Sequence, residues 1–260
     1  MVIPAQLGLD LRQCQRWSRG RDRYRPAGEL FDPRHSGVEV IDAAAAKEFV
    51  RINHYSASFP ASRLNVGIFL REPFRAEELC GVAVFSVPMS NHVIPRYFDG
   101  LDPNRGVELG RLVLLDKLAA NAETWFLKRA FRALRHKFPE VRGVIAYSDP
   151  LPRHNRDGIL VKKGHIGTVY NAFSGVFRGR SKARTLLLTP AGGVANERSL
   201  SKLRNGERGA DGVQRDLERT GASARAFGES GRDWLGRLVA EGFLRPVAHP
   251  GNFCFSWTLR

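Results

Sequence analysis

Four side chains of types that bind anions or move protons stand where predicted secondary structure elements begin or end. Arg111 lies within an apolar run that reads as a strand, and Thr124 lies on the first turn of a predicted helix. Asp149 follows a second apolar strand, and Tyr170 lies on the first turn of a short helix. Guanidinium and helix amide groups bind anions, whereas carboxylates and phenols accept or donate protons. The four residues therefore predict a site for anion binding and proton transfer, provided that their elements meet at one edge.

The elements that must position these residues form a strand, helix, strand, helix unit. The first strand is predicted over Val107–Leu115 and the helix over Asn121–Lys137. The second strand is predicted over Gly143–Ser148, and Gly164–Phe173 is predicted to form a turn and a short helix. Such alternation is typical of a sheet with helices packed on its faces.

Arg111 needs an anionic partner if the first strand is buried. Side chains alternate along a strand, so Leu109, Arg111 and Val113 are predicted to share one face. An unpaired charge in such an apolar row would cost about 3–5 kcal/mol. The partner is either Asp149 or a group of a substrate, and a purely structural ion pair is the alternative.

The rest of the chain is predicted to complete a sheet and to add a C-terminal extension. Asp42 is the predicted N-cap of a helix that ends near His54 and Tyr55, because its carboxylate can accept free amide hydrogens. The further elements predicted are strands at 38–41, 66–70 and 79–87, a loop over 88–106, a closing strand at 183–189, a loop of weak order over 190–212, helices at 213–219 and 233–242, and a hairpin around 249–252.

The charge of the chain predicts a polyanionic partner. A net charge of +15 and a pI near 10.5 favour nucleic acid ahead of a membrane surface. Residues 11–25 are rich in arginine and carry two aromatic rings that can stack on bases; a solvated, partly disordered tail is the alternative. The predicted DNA-binding residues are Arg12, Arg16, Arg19, Arg21, Arg23, Arg25, Arg153, Arg156, Lys162 and Lys163.

The cysteines and the hydropathy pattern argue against several other classes of protein. Cys14, Cys80 and Cys254 lie far apart without metal-ligand spacing, so neither a disulfide framework nor a metal site is expected. The chain has no apolar run of membrane-spanning length and no apolar signal segment, so a protein of the cytoplasm is expected.

Four segments, in this order and at helix-length spacing, resemble the bacteriophage Mom family of DNA adenine-modifying proteins, which are similar to GNAT acyltransferases. The segments are ELGRL from Glu108, NAETWFL from Asn121, AYSDP from Ala146 and GHIGTVYNA from Gly164. The resemblance extends from residue 42 to 189, includes His54 and Tyr55, and continues more loosely into NERSLSK near residue 196.

The resemblance implies an α/β GNAT-like acyltransferase fold with a mixed, mostly antiparallel central sheet flanked by helices. With the basic N-terminal residues and the C-terminal pattern, the predicted organisation is a basic arm over residues 1–37, a GNAT-like catalytic domain over 38–189, and a linker with a helix and hairpin extension over 190–260. The activity that the resemblance implies is conversion of adenine in double-stranded DNA to N6-carbamoylmethyladenine, which protects phage DNA from restriction in the host cytoplasm. The family's important positions fall on His54, Tyr55, Arg111, Thr124, Asp149 and Tyr170.

Each position can be given a role in modifying the exocyclic amine of an extruded adenine. Asp149 is expected to contact or deprotonate the amine, and Tyr170 to donate a proton or form a pocket wall. His54 and Tyr55 would close the opposite side. Arg111 would hold Asp149 or a carboxyl group of the donor. Thr124, where the family tends to have serine, would steady an oxyanion.

The donor is not identified by the sequence. The turn before the helix reads Leu118-Ala-Ala-Asn-Ala-Glu-Thr and lacks the glycines of coenzyme A-binding GNAT enzymes, which argues against coenzyme A. Two other classes stay open: a GNAT acyltransferase acting on a small amine or a protein, and a DNA-binding protein without catalysis.

Overall fold

The computed structural model describes residues 31–56, 58–119 and 121–260, together with the backbone of two short strands before them. The thirteen strands are β1 (Arg16–Ser18), β2 (Arg21–Arg23), β3 (Ser36–Ile41), β4 (Ser62–Leu70), β5 (Glu78–Ser86), β6 (Gly106–Leu114), β7 (Gly143–Ser148), β8 (Arg153–His154), β9 (Leu160–Lys162), β10 (Val176–Arg180), β11 (Arg184–Leu188), β12 (Arg245–His249) and β13 (Phe253–Thr258). The helices are α1 (Ala43–Asn53), α2 (Val93–Tyr97), α3 (Ala122–Lys137), α4 (Thr168–Ala172), α5 (Glu197–Asn205), α6 (Ala210–Arg219) and α7 (Gly231–Ala240).

The chain forms two compact units. The first comprises residues 1–150, 165–180 and 252–260, and the second comprises residues 151–164 and 181–251. In the first unit seven strands form one sheet in the order β10-β13-β7-β6-β5-β4-β3. Its neighbours pair antiparallel except β6 and β7, which are parallel. This confirms the predicted α/β class with a mixed, mostly antiparallel sheet flanked by helices.

Helices α1 and α3 form where the sequence predicts them. The Asp42 carboxylate accepts a hydrogen bond of 2.8 Å from the Ala45 amide and so caps α1, as predicted. Helix α3 buries a stripe that includes Phe126, Leu127 and Leu134, and this stripe packs on β4–β7 and β13. Helix α1 buries Phe49 and its neighbours against the opposite face of the sheet.

The C-terminal strand corrects the predicted hairpin. Strand β13 pairs with β7 on one side and β10 on the other, so it lies inside the main sheet. Its Cys254, Phe255 and Trp257 are all buried, and a strand with apolar residues on both faces is stabilised inside a sheet. The predicted closing strand is also corrected, because β11 pairs with β12 in a separate two-stranded sheet.

The second unit has its own core. Leu200 and Leu203 of α5, Leu217 of α6 and Trp234 of α7 are buried in one cluster. The predicted weakly ordered loop over 190–212 is therefore wrong. The Asn196 side chain accepts from the Ser199 amide at 3.1 Å and caps α5, and the apolar faces of three short helices stabilise one another.

No helix in the described part of the chain is both long and apolar enough to cross a membrane. The predicted DNA-binding side chains of the N-terminal arm, Arg12, Arg16, Arg19, Arg21, Arg23 and Arg25, lie outside the residues whose side chains are described.

Candidate functional site

A β-bulge in β6 decides which way the central arginine faces. The register between β5 and β6 pairs Val84 with Arg111 but Phe85 with Leu109, so Gly110 is the extra residue on β6. A bulge shifts the alternation of side chains by one residue. Leu109 accordingly packs in the core under α3, whereas Val113 packs under α1.

The predicted common face of Leu109, Arg111 and Val113 is therefore corrected. Arg111 shares its face with Val113 and with Glu108, and Glu108 acts on Arg111 electrostatically. Glycine fits the bulge because a Cβ at Gly110 would lie only 2.5 Å from the Ser86 hydroxyl oxygen.

The guanidinium of Arg111 is fixed by the loop that follows α1. Its Nε donates to the Ser58 carbonyl at 3.0 Å, and its Nη2 donates to the Ser58 hydroxyl at 2.7 Å. Burial lowers the pKa of Arg111, while the neighbouring Tyr55, Glu108 and Tyr170 raise it. Glu108 is thus a carboxylate that acts on Arg111.

A chain of polar side chains connects Arg111 with the end of α1. His54 ends this helix, and its Nδ1 lies 2.8 Å from the Ser56 hydroxyl. The Ser58 hydroxyl donates to that of Ser56 at 3.1 Å and meets Arg111 on its other side. The predicted residues His54 and Arg111 are thus brought together through two serines. Sequence reasoning did not single out these serines, although they belong to the Ser-rich stretch that follows His54.

Tyr55 covers His54 at the surface. The two ring centroids are 4.1 Å apart, with 34° between the ring planes. Tyr55 is 40% exposed, so part of this aromatic pair is accessible from solvent. The phenol also influences Tyr170 and Arg111 electrostatically.

Tyr170 is buried and faces the same group of residues. Its ring centroid lies 5.5 Å from that of Phe255 and 5.8 Å from that of Trp257. Burial, and then the neighbouring Tyr55 and Glu108, raise the pKa of the Tyr170 phenol, whereas Arg111 lowers it. The phenol therefore carries its proton at neutral pH and can donate a hydrogen bond.

Glu108 is a further residue of this site that sequence reasoning missed. Burial raises the pKa of its carboxyl from 4.5 to about 7, and the nearby Arg111 counteracts this rise. A carboxyl with such a pKa is suited to accepting a proton near neutral pH. The available signal was an acidic residue three positions before Arg111 within an apolar strand.

The site lies where two strands of the sheet separate. The parallel ladder between β6 and β7 joins Gly106 with Gly143 and ends at the pair of Glu108 with Ile145. Both strands continue beyond that pair. Arg111 lies on β6 just past this point, next to the bulge. The separation explains how Tyr170, which packs with the aromatic residues under α3, also influences Glu108 and Arg111.

Asp149 directly follows β7 and is 8% exposed. Its carbonyl accepts a hydrogen bond of 2.9 Å from the His165 amide, which connects the end of β7 with the segment leading into α4. Asp149 is thus positioned at the end of the strand, as the sequence predicts.

Thr124 lies beside a separate hollow at the start of α3. Asn121 precedes the helix with a left-handed φ of 69°, and its side chain makes no capping hydrogen bond. The Thr124 hydroxyl donates to the Asn121 carbonyl at 3.2 Å. The hollow has a volume of about 390 Å³ and is lined by Phe31, Asn121, Thr124, Trp125, Lys128 and Phe173. Phe173 directly follows α4, so the hollow adjoins the helix that carries Tyr170.

A model of the Mom protein family matches residues 36–227. The chain belongs to the Mom family. The match contains Arg111, Glu108, Tyr170 and the serine loop, together with most of the second unit.

Similarity to individual proteins is weak. No curated protein matches the chain. Among solved structures, a tandem GNAT protein from the clavulanic acid biosynthesis pathway is similar at a TM-score of 0.35 and 11% identity, covering 88% of this chain and 84% of that one.

Within the Mom match, the basic segment 151–163 forms the β8–β9 hairpin of the second unit. Lys162 is only 2% exposed, and its ammonium donates to the Leu151 carbonyl at 3.0 Å. Its predicted contact with DNA is therefore corrected, because a buried amine is not presented to a phosphate. Arg156 is exposed, and Arg153 and Lys163 are half-buried.

No cluster of three or more metal-ligating side chains occurs among residues 31–56, 58–119 and 121–260.

Proposed function

We propose that this Mom family protein converts adenine in double-stranded DNA to N6-carbamoylmethyladenine and thereby protects phage DNA from restriction. The observation that supports this most directly is the grouping of Arg111, Glu108, Tyr55 and Tyr170 where β6 and β7 separate. The net charge of +15 suits a DNA substrate.

The acceptor sets the demands on the site. The lone pair of the adenine N6 amine is delocalised into the ring, and in a duplex the amine is base-paired. The base must therefore leave the stack before its amine can react. Tyr55, which is partly exposed and lies against the ring of His54, is the aromatic side chain of this site on which an extruded purine would stack.

The amine must lose a proton as its nitrogen forms a bond to carbon. Glu108 is suited to accept this proton because its pKa of about 7 leaves an appreciable fraction ionised at neutral pH. Asp149, at the end of β7, is assigned to holding the Watson–Crick edge of the base. Tyr170 keeps its own proton and can donate a hydrogen bond to the developing charge or to the leaving group.

The donor is assigned to the groups on the other side of the reaction. Arg111 is fixed by Ser58 and can orient a carboxyl or carbonyl group of the donor. The hollow beside Thr124 combines aromatic walls, the side chain of Lys128 and the N-terminal end of α3, a combination that suits an anionic donor.

The test is nucleoside mass spectrometry on DNA from cells that express the full chain. We expect N6-carbamoylmethyladenine with the wild-type protein and its loss with Glu108→Gln. The matched control is Glu48→Gln, which removes an exposed carboxylate from α1 and should leave the modification unchanged. Unmodified adenine in cells containing folded wild-type protein would overturn the proposal.

A further inference from the structure

The second unit contains a helix pair joined by a short glycine-rich turn. Helices α5 and α6 are connected by residues 206–209, and both Gly206 and Gly209 have left-handed φ angles, of 61° and 92°. The Glu207 amide donates to the Lys202 carbonyl at 2.9 Å, which closes the end of α5. Helix pairs with such turns are common in proteins that bind duplex DNA.

A basic cavity opens at this turn. Its volume is about 530 Å³, and Arg204, Arg208 and Arg225 are part of its lining. The Lys202 ammonium is near as well, 4.0 Å from the position that a Cβ of Gly209 would occupy. Helix α6 begins here without a side-chain cap, so its first amides add positive potential.

Two carboxylates also line the cavity, and the cations outnumber them. The Glu207 carboxylate forms an ion pair with Arg198 at 3.4 Å and accepts a hydrogen bond of 3.0 Å from the Asn205 side chain. Asp211 lies in the first turn of α6. Arg204 is paired with Glu197 at 2.7 Å. Among the residues that the structure describes, Arg208 is exposed and in no ion pair, so its guanidinium is available to an anion.

An ordered loop beside the cavity carries an aromatic side chain that is fully exposed to solvent. Phe227 has a relative exposure of 107% and is followed by Gly228 with a φ of 77°. The loop around it is tied down: Arg225 donates to the Glu229 carbonyl at 2.6 Å, and the Ala226 amide donates to the Glu229 carboxylate at 2.9 Å.

Side chains of helix α7 also stabilise this loop. Arg237 pairs with the Glu229 carboxylate at 2.8 Å and donates to the Ala224 carbonyl at 2.9 Å. The indole of Trp234 donates to the Ser223 carbonyl at 2.8 Å. A loop with this many fixed contacts holds Phe227 in water, at the cost of leaving a large apolar side chain unburied. Arg225 belongs both to this loop and to the cavity lining, so the ring and the cavity are neighbours.

We propose that the cavity at the α5–α6 turn and the ring of Phe227 form a surface that binds duplex DNA, with a backbone phosphate in the cavity and the ring against the sugars and base edges of the adjoining groove. The choice of DNA as the polyanion rests on the proposed function. Phosphate contacts would supply affinity without sequence preference, and an inserted apolar ring is a common means of gripping a groove.

The test is fluorescence anisotropy of a labelled DNA duplex titrated with the full-length protein at several salt concentrations. The double variant Lys202→Gln/Arg208→Gln should bind more weakly, and the slope of log K against log salt should become shallower by about two, because each phosphate contact contributes about 0.9. Phe227→Ala should weaken binding about tenfold with little change in the slope, because an apolar contact in a groove contributes affinity without releasing counterions.

The matched control is Arg219→Gln, which removes one exposed positive charge at the far end of α6. Equal losses in the control and in the single variant Arg208→Gln would overturn the assignment, because they would reflect net charge alone. The assignment would also be overturned if the double variant, shown by its melting curve to be folded, kept the wild-type affinity and slope. It would equally be overturned if the double variant lost binding to anionic phospholipid vesicles but kept its affinity for DNA.

These outcomes are separable from those of the modification experiment. DNA binding is measured without any donor, so the surface can be upheld even if no modified adenine is formed. Conversely, if the double variant modifies adenine and keeps wild-type DNA affinity, the proposed chemistry is supported and the proposed DNA-binding surface is contradicted.

Discussion

Ser58 holds Arg111 by two hydrogen bonds, one from Nε to its carbonyl at 3.0 Å and one from Nη2 to its hydroxyl at 2.7 Å. The two residues are 53 positions apart in the chain, so this contact fixes the loop after α1 against the bulge of β6. The hydroxyl also carries the connection onward through Ser56 to His54. The orientation of Arg111 is thus set by the loop after α1 as well as by its own strand.

Ser58→Ala should impair the modification while leaving the fold intact. The change removes the hydroxyl contact but keeps the carbonyl contact, and a hydrogen bond to a charged group contributes about 1.5–3 kcal/mol. We expect the fraction of modified adenine in expressing cells to fall about tenfold or more, and the melting temperature to fall by only a few degrees. Ser90→Ala, at an exposed serine of another loop, is the control. Full modification by Ser58→Ala would show that the orientation of Arg111 does not depend on this hydroxyl.

Gly110→Ala should destabilise the protein because its Cβ would lie 2.5 Å from the Ser86 hydroxyl and 3.2 Å from Pro60. Overpacking of this kind costs about 1–3 kcal/mol, to be measured as the free energy of unfolding in denaturant. The double variant Gly110→Ala/Ser86→Ala removes the nearer oxygen and should recover part of the loss. If Ser86→Ala brought no recovery, the bulge would not be limited by this contact.

The sequence predicts the scaffold of the site better than its chemistry. Regular elements such as α1, β7 and α3 follow from apolar periodicity and caps, which are local signals. The bulge at Gly110 is a tertiary feature, and it turns Arg111 toward Glu108 in a way that strict alternation does not predict. The raised pKa of Glu108 also depends on what covers it, so its role is visible only in the folded chain. The central place of β13 could not be read from order along the chain, because a C-terminal strand can equally form a local hairpin.

Glu108 should make the stability of the protein depend on pH. Its pKa rises on folding from 4.5 to about 7, so the protonated form is favoured in the folded state. The stabilisation is complete below pH 4.5 and is lost as the pH rises through about 7. The stability of the wild type relative to Glu108→Gln should therefore decrease across this interval and be constant above it. Thermal melts of both proteins in buffers from pH 4 to 9 provide the measurement, with Glu48→Gln as the control. A constant difference across that range would contradict the burial of an ionisable Glu108.

Tyr170→Phe separates the ring of this residue from its hydroxyl. The ring packs against Phe255 and Trp257, and these contacts are kept by phenylalanine, so the melting temperature should change little. The hydroxyl is the part that neighbours Arg111, Glu108 and Tyr55, and its removal should lower the amount of modified adenine about tenfold or more. DNA affinity measured by anisotropy should stay at the wild-type value, because no phosphate contact is assigned to this buried residue. Undiminished modification by Tyr170→Phe would show that Tyr170 contributes only packing. A large fall in melting temperature would show that its hydroxyl stabilises the fold where β6 and β7 separate.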